Sequence, residues 1–439
     1  MPNVRGGAPA PERLHALDAV RGCALLLGIV YHASYSFVPT SWRFSFVEDN
    51  HRSLALALLV FTTHVFRMTT FFLIAGFFAH MSFHRRGVTA FIGDRLKRIA
   101  LPLAVGWPIV FGALLAVATW AANEGLSTPP PPFPTFPHFP LAHLWFLYVL
   151  LEFYAAILVL RGGVALMDRS GGIRAGVDRL VRLLLMRGPL GAIIMAAPVG
   201  AAFAANHLWL MWFCIPAPTE SFVTSRTALI GYGSAFCFGW LLHRQVELLR
   251  MLERDWALNL ILAIGLITVS LALVGVTPRL TPVEDDAIRL AGAACYAVAT
   301  WTATFAVIGL ALRFLSGLSP ARRYVADASY WLYLIHWPIV AALQVAVSRL
   351  DWPWPAKLAA ILAIAFPLMF ASYELVVRHS FIGLVLNGRR VPRSAAMRPE
   401  GSIPAFTLES LPTARSPGVP LNRSYLENDR RVGAPLGSQ

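Results

Sequence analysis

The chain has 439 residues, of which 57% are hydrophobic and 14% charged, and it carries a formal net charge of +14. A water-facing surface needs more charge than that, so the composition excludes an ordinary soluble globular protein and makes lipid the main solvent. The basic excess would suggest nucleic acid in a soluble chain. Here it lies in short connections between apolar runs, where positive-inside topology explains it and no nucleic-acid partner is expected. Cys23, Cys214, Cys237 and Cys295 are scattered through apolar sequence, without the spacing of a metal site or the density of a disulfide framework.

A membrane-crossing helix needs roughly 20 apolar residues. Runs of that kind occur near 16–38, 54–80, 99–122, 141–160, 188–206, 226–243, 256–276, 288–312, 327–348 and 356–377. The expected fold is therefore an all-α integral membrane protein, a polytopic bundle of about ten transmembrane helices. The first run has no small-residue cleavage site and is expected to remain as a signal anchor. Arg85, Arg86, Arg95, Lys97 and Arg98 fill the second connection, and Arg169, Arg174, Arg179, Arg182 and Arg187 the fourth. Arg244, Arg250 and Arg254 follow in the sixth and Arg313, Arg322 and Arg323 in the eighth, whereas the proline-rich third has no Lys or Arg. That asymmetry predicts cytoplasmic termini. Residues 1–15 read as a cytoplasmic N-terminus and 16–380 as the membrane domain. Residues 381–439, rich in Pro, Ser and Arg, read as a disordered tail.

A charge at mid-bilayer costs roughly 2.5–3.5 kcal/mol, so ionisable residues inside spans are candidates for function. The first span holds Asp18, Arg21 and His32. At about 100° per residue, the step from Arg21 to His32 closes three turns with ~20° left over, and His32 lies about 16 Å deeper on the same face. Asp18 is i,i+3 from Arg21 and can pair with it. These groups either anchor and satisfy the helix or present a cationic mouth and a deep imidazole. Imidazole can take a hydroxyl proton near neutral pH or accept an acyl group itself, which points to group transfer onto an alcohol.

In the second span Arg67 sits among aromatics, i,i+3 from His64, with Glu374 of the tenth span as its expected counter-ion. Arg95 and Arg98, in DRLKRIALP, have the spacing to grip phosphate from one helix face, although positive-inside charge also explains them. His143 and Trp145 open the fourth span, where the indole is either an interfacial anchor or a sugar platform. His336, with Ser329, Tyr330 and Tyr333 nearby, brings a second imidazole and hydroxyls into the ninth span; a hydrogen bond between helices is the structural alternative.

These residues resemble the acyltransferase 3 family, whose first-span signature is Arg, ten residues, then His, as Arg21 and His32 stand here. FRMTTFFLIAGFFAHM around Arg67, RLKR at 95–98, HLWFLYVLL from His143 and ASYWLYLIHWPIV from Ala328 are similar to its branch that succinylates osmoregulated periplasmic glucans. The resemblance implies transfer of an acyl group, succinyl above all, from cytosolic acyl-CoA to a periplasmic glucan or another glycan. His32 would then be the catalytic imidazole, with Asp18 and Arg21 beside it, and Arg21, Arg95 and Arg98 would contact the donor. No tightly bound cofactor or metal is implied; the lipid bilayer is the setting, and a glucan synthase is a candidate neighbour. The rival reading is a glycan or anion transporter, for which the inverted repeats common in transporters are not evident. A catalytically inert scaffold would leave the buried charges unexplained.

Overall fold

With no water in hydrocarbon to satisfy backbone polar groups, an apolar chain of this length closes its hydrogen bonds within helices. The computed structural model describes residues 10–39, 46–130 and 132–387, which form thirteen α-helices and no strand beyond one isolated bridge, His138 to Ser221. They are α1 (Ala10–Ala33), α2 (Leu54–Arg95), α3 (Leu101–Asn123), α4 (Trp145–Met167), α5 (Gly172–Met186), α6 (Pro189–Ala204) and α7 (Arg226–Leu242). The rest are α8 (Leu249–Arg254), α9 (Trp256–Val274), α10 (Asp286–Phe314), α11 (Pro320–Ser348), α12 (Trp354–Ser372) and α13 (Phe381–Asn387). Side chains that can accept from free N–H groups fix several starts. Ser53, Ser225, Asp285 and Ser319 cap α2, α7, α10 and α11.

Each of the ten apolar runs falls on a helix, and seven helical stretches are long and apolar enough to cross a membrane. One of the seven is the continuous 70-residue stretch Leu54–Asn123, which Gly87 breaks at φ 76°, a left-handed conformation suited to glycine. A π-helical turn, Leu96–Ala100, follows before α3. At 16 and 17 residues, α6 and α7 fall short of the roughly 20 residues of a full crossing. The basic fourth connection holds α5, which turns by 120° into α6, so the pair adds at most one further span. The chain is a polytopic helical membrane protein.

Small residues set the closest helix approach. A Cβ on Gly76 of α2 would lie 1.9 Å from the Phe236 carbonyl oxygen of α7, and one on Gly239 of α7 would lie 1.9 Å from that of Leu73. Without a hydrophobic drive between helices in lipid, such backbone contact provides the van der Waals gain that holds them. Helix α10 runs through the interior, packing on α1, α2, α6, α8 and α9, while α1 lies along α11. Lys357 at the start of α12 and Asp49 in the α1–α2 connection form an ion pair at 2.7 Å with side chains only 1% and 2% exposed. The Ser348 carbonyl and the His51 amide complete the bonding of that pair.

At the chain's end the structure departs from the predicted boundary at 380. Phe381–Asn387 is helical, because Gly383 and Leu386 find buried places against the bundle. The remainder of the predicted tail lies outside the described residues.

Candidate active site

A cavity of about 520 Å³ opens among α1, α2, α4 and α11. Its lining begins with Arg21, Arg95 and Arg98, passes Arg67 and His32, and reaches Ala217 and Thr219 at the other end. Two helices give the same measure of its depth. Arg21 and His32 are eleven residues apart on α1, and on α4 the wall runs from Trp145 to Tyr154, so the cavity extends on the order of 15 Å along the bundle.

At the basic end Asp18 pairs with Arg21 at 3.3 Å, as its i,i+3 spacing predicts, and the Arg21 guanidinium also donates to the Ala326 carbonyl of α11. Asp94 joins three arginines, with Arg86 and Arg95 at 3.1 Å and Arg98 at 3.0 Å. One carboxylate against three guanidinium groups leaves the cluster net positive. Arg95 is further fixed between the Phe91 and Tyr154 rings, 5.0 Å from each centroid. Tyr330 lines the same end, and its hydroxyl donates to the Arg98 carbonyl, which ties α11 to the π turn.

Deeper in the cavity three imidazoles converge from three parts of the chain. The His32 ring on α1 stands 5.1 Å from that of His336 on α11, and His336 stands 4.8 Å from His143 in the turn Ala142–Leu144 before α4. Carbonyl oxygens only accept, so hydrogen-bond partners fix two tautomers. His336 donates through Nδ1 to the Tyr333 carbonyl at 2.8 Å, and His143 donates through Nε2 to the Leu334 carbonyl at 3.2 Å. His143 Nδ1 is thereby an acceptor without a donor, and His32 Nδ1 is likewise buried without a partner. Among the described residues, the His32 ring rests on other rings: Tyr31, Tyr35, His336 and Trp337. Its backbone carbonyl, held by Gln344, fixes the helix end instead. The described residues contain no group of His, Cys, Asp and Glu able to hold a metal ion.

Arg67, 7% exposed, lies over the Tyr31 ring at 4.2 Å. The Tyr31 hydroxyl meets His64 Nδ1 at 2.6 Å while His64 Nε2 donates to the Ile215 carbonyl, so the tyrosine is the donor in that pair. The expected Arg67–Glu374 pair does not form. Glu374 sits in the π turn Tyr373–Val377, off the cavity, bonded to Arg378 at 2.8 and 2.9 Å and to Tyr324 at 3.2 Å. A local i,i+4 partner orders fewer groups than a distant one and wins the carboxylate. Trp145 is buried in the cavity wall against Phe72 and Tyr232, so it is not an interfacial anchor.

The structure therefore brings Arg21, His32, Arg67, Arg95, Arg98, His143, Tyr330 and His336 to one cavity and leaves Glu374 outside it. Sequence reasoning missed Asp94. Its i,i+4 spacing to Arg98 was the available signal.

The fold and this cavity define a helical membrane protein with a histidine site between a basic mouth and the opposite end of the bundle. The chain belongs to the acyltransferase 3 family: the family model, described as an acyltransferase domain, matches residues 14–374. Among curated relatives, "Glucans biosynthesis protein C" of Escherichia coli (strain SMS-3-5 / SECEC) is 31% identical over 147 residues, 32% of this chain and 37% of that protein. The proteins of the same name from E. coli (strain K12) and Shigella dysenteriae serotype 1 (strain Sd197) are each 30% identical over the same shares. The matched region thus spans well under half of those relatives. No solved structure matches the chain.

Proposed function

We propose that the protein is an inner-membrane O-acyltransferase that moves an acyl group, succinyl, from cytosolic acyl-CoA to a hydroxyl of a periplasmic glucan. The observation that carries this reading is the cavity joining a net-positive mouth to an imidazole whose buried Nδ1 has no hydrogen-bond partner. The name shared by the relatives supports a glucan as acceptor. In this scheme ten spans keep both termini cytoplasmic, and the Arg95–Arg98 end faces the cytosol because the basic connections lie there.

Phosphates of the donor bind Arg21, Arg95 and Arg98, where planar guanidinium groups match phosphate oxygens. The thioester reaches His32, and the acceptor hydroxyl arrives from the Thr219 end. His32 removes the hydroxyl proton as the oxygen attacks the thioester carbonyl carbon. The C–O bond forms, the tetrahedral adduct collapses with cleavage of C–S, and the imidazolium returns the proton to the departing thiolate. The products are the glucan ester and free CoA thiol.

Mass spectrometry of periplasmic glucans from a deletion strain and its complemented control tests the proposal. Gain of about 100 Da per substituent identifies succinyl and about 42 Da acetyl, by ester arithmetic. Identical glucan masses in the two strains would remove the glucan as acceptor.

A further inference from the structure

Among the described residues, the cations lining this cavity differ in one respect. Arg21 has Asp18, and Arg95 and Arg98 share Asp94. Arg67 has neither a carboxylate within ion-pair distance nor a hydrogen bond, and its Nε is buried with no partner. It is the most deeply buried of the four, on the middle of the cavity wall, and guanidinium does not lose its proton in proteins. Removing one partner of a buried charge leaves a large desolvation cost, so such a cation is poised for an anion.

The immediate surroundings define the size of that anion. A Cβ on Gly28 would lie 2.7 Å from Arg67 Nη1, so the absent side chain at 28 is what lets the guanidinium reach α1. Gly28 and His32 are one turn apart on the same face of α1, about 6 Å along the axis. An acyl group whose reacting carbonyl sits at His32 and whose far carboxylate lies three carbon–carbon bonds away, ~4 Å, brings that carboxylate within N–H···O reach of Arg67.

We infer that Arg67 is the specificity-determining residue for the acyl group, binding the free carboxylate of a dicarboxylic half-thioester of about four carbons. The inference rests on the acyltransferase reading above. An oxyanion formed only during reaction is the competing role, and it would leave the guanidinium without an anion throughout the donor-bound state. The donor phosphates have their own cluster at the mouth, about 10 Å nearer that end of α1 by the seven-residue rise from Arg21 to Gly28.

The test compares succinyl-CoA with butyryl-CoA, its four-carbon neutral counterpart, on purified protein in nanodiscs. The wild-type kcat/KM should favour succinyl by roughly tenfold to a hundredfold, the range of a charge-assisted hydrogen-bonded contact. In Arg67→Met that ratio should fall to one or invert. Gly28→Ala, which keeps the arginine but crowds it, should lower the ratio as well. Because each ratio is taken within one variant, the folded fraction cancels. Equal losses with both donors would overturn the inference and assign Arg67 to the reacting carbonyl or to the fold. If the wild type transfers from neither thioester, it is the acyltransferase proposal that falls. Thermal protection by succinyl-CoA over butyryl-CoA then reads the site, and its persistence in Arg67→Met, or its absence in the wild type, would refute the carboxylate contact.

Discussion

Replacing His32 separates chemistry from structure because, among the described residues, its ring makes no hydrogen bond that would be lost. Loss of a general base lowers turnover about 100-fold to 10,000-fold, which is roughly 2.7–5.5 kcal/mol in the barrier at 1.36 kcal/mol per decade. The stability cost of His32→Ala should be smaller, about 1 kcal/mol, the centre of the range for point substitutions. Three features of the site keep it there. The buried Nδ1 leaves no orphaned partner when it goes, the space created merges with an existing cavity, and the Gln344 bond to the residue-32 carbonyl is made by backbone. His32→Gln should lose as much activity as His32→Ala, since an amide keeps bulk and polarity but cannot take up the proton. The assay is acyl-CoA-dependent glucan acylation per molecule of membrane-extracted protein, with the thermal midpoint of the same preparation. Acylation within tenfold of wild type in the alanine variant would refute the role of His32. Loss in step with protein yield, with the glutamine variant active, would make the residue structural.

Three further outcomes follow from the same geometry. Arg95→Ala combined with Arg98→Ala should raise the KM for acyl-CoA roughly tenfold or more with a smaller effect on kcat, since both groups are proposed to hold phosphate; an unchanged KM in correctly inserted protein would leave them a topological role only. Lys357→Ala should destabilise by about 3–5 kcal/mol by stranding Asp49, and Lys357→Met with Asp49→Asn should recover most of it, both read from thermal unfolding in detergent; equal midpoints for the single variant and wild type would show the pair to be dispensable. Membrane-impermeant thiol labelling should reach Thr128→Cys and Ser170→Cys from opposite faces, and reaction of both from one face would refute the proposed topology.

What was readable in the sequence divides along the range of the interaction. Lipid forces apolar runs into helices, so all ten runs fall on helices. Arg21 and His32 share one helix, and a 3.6-residue period suffices to align them on the cavity. His336 and His143 join His32 only through the relative rotation of α1, α11 and the turn before α4, which no local periodicity encodes. The pairing of Lys357 with Asp49, 308 residues apart, is of the same kind. Glu374 shows the opposite error: a distant partner was assigned where Arg378, four residues on, was the cheaper one.

The depth of the cavity gives the proposed division of labour its physical basis. Between its pyrophosphate and its sulfur, the pantetheine arm of CoA has about a dozen bonds and extends on the order of 14 Å at backbone-like geometry. The rise from Arg21 to His32 is about 16 Å. A donor held by its phosphates at the basic mouth therefore carries its thioester to the imidazole without any phosphate entering the low-dielectric middle of the bundle, where an unpaired charge would cost several kcal/mol. The acceptor has only to reach His32 from the other end. His32 is the last-but-one residue of α1, so on the proposed topology it stands in the far half of the span and the acceptor does not have to cross the membrane. In that arrangement the cations at the mouth act on donor affinity and His32 on the barrier. Arg67, between them, acts on the acyl group alone.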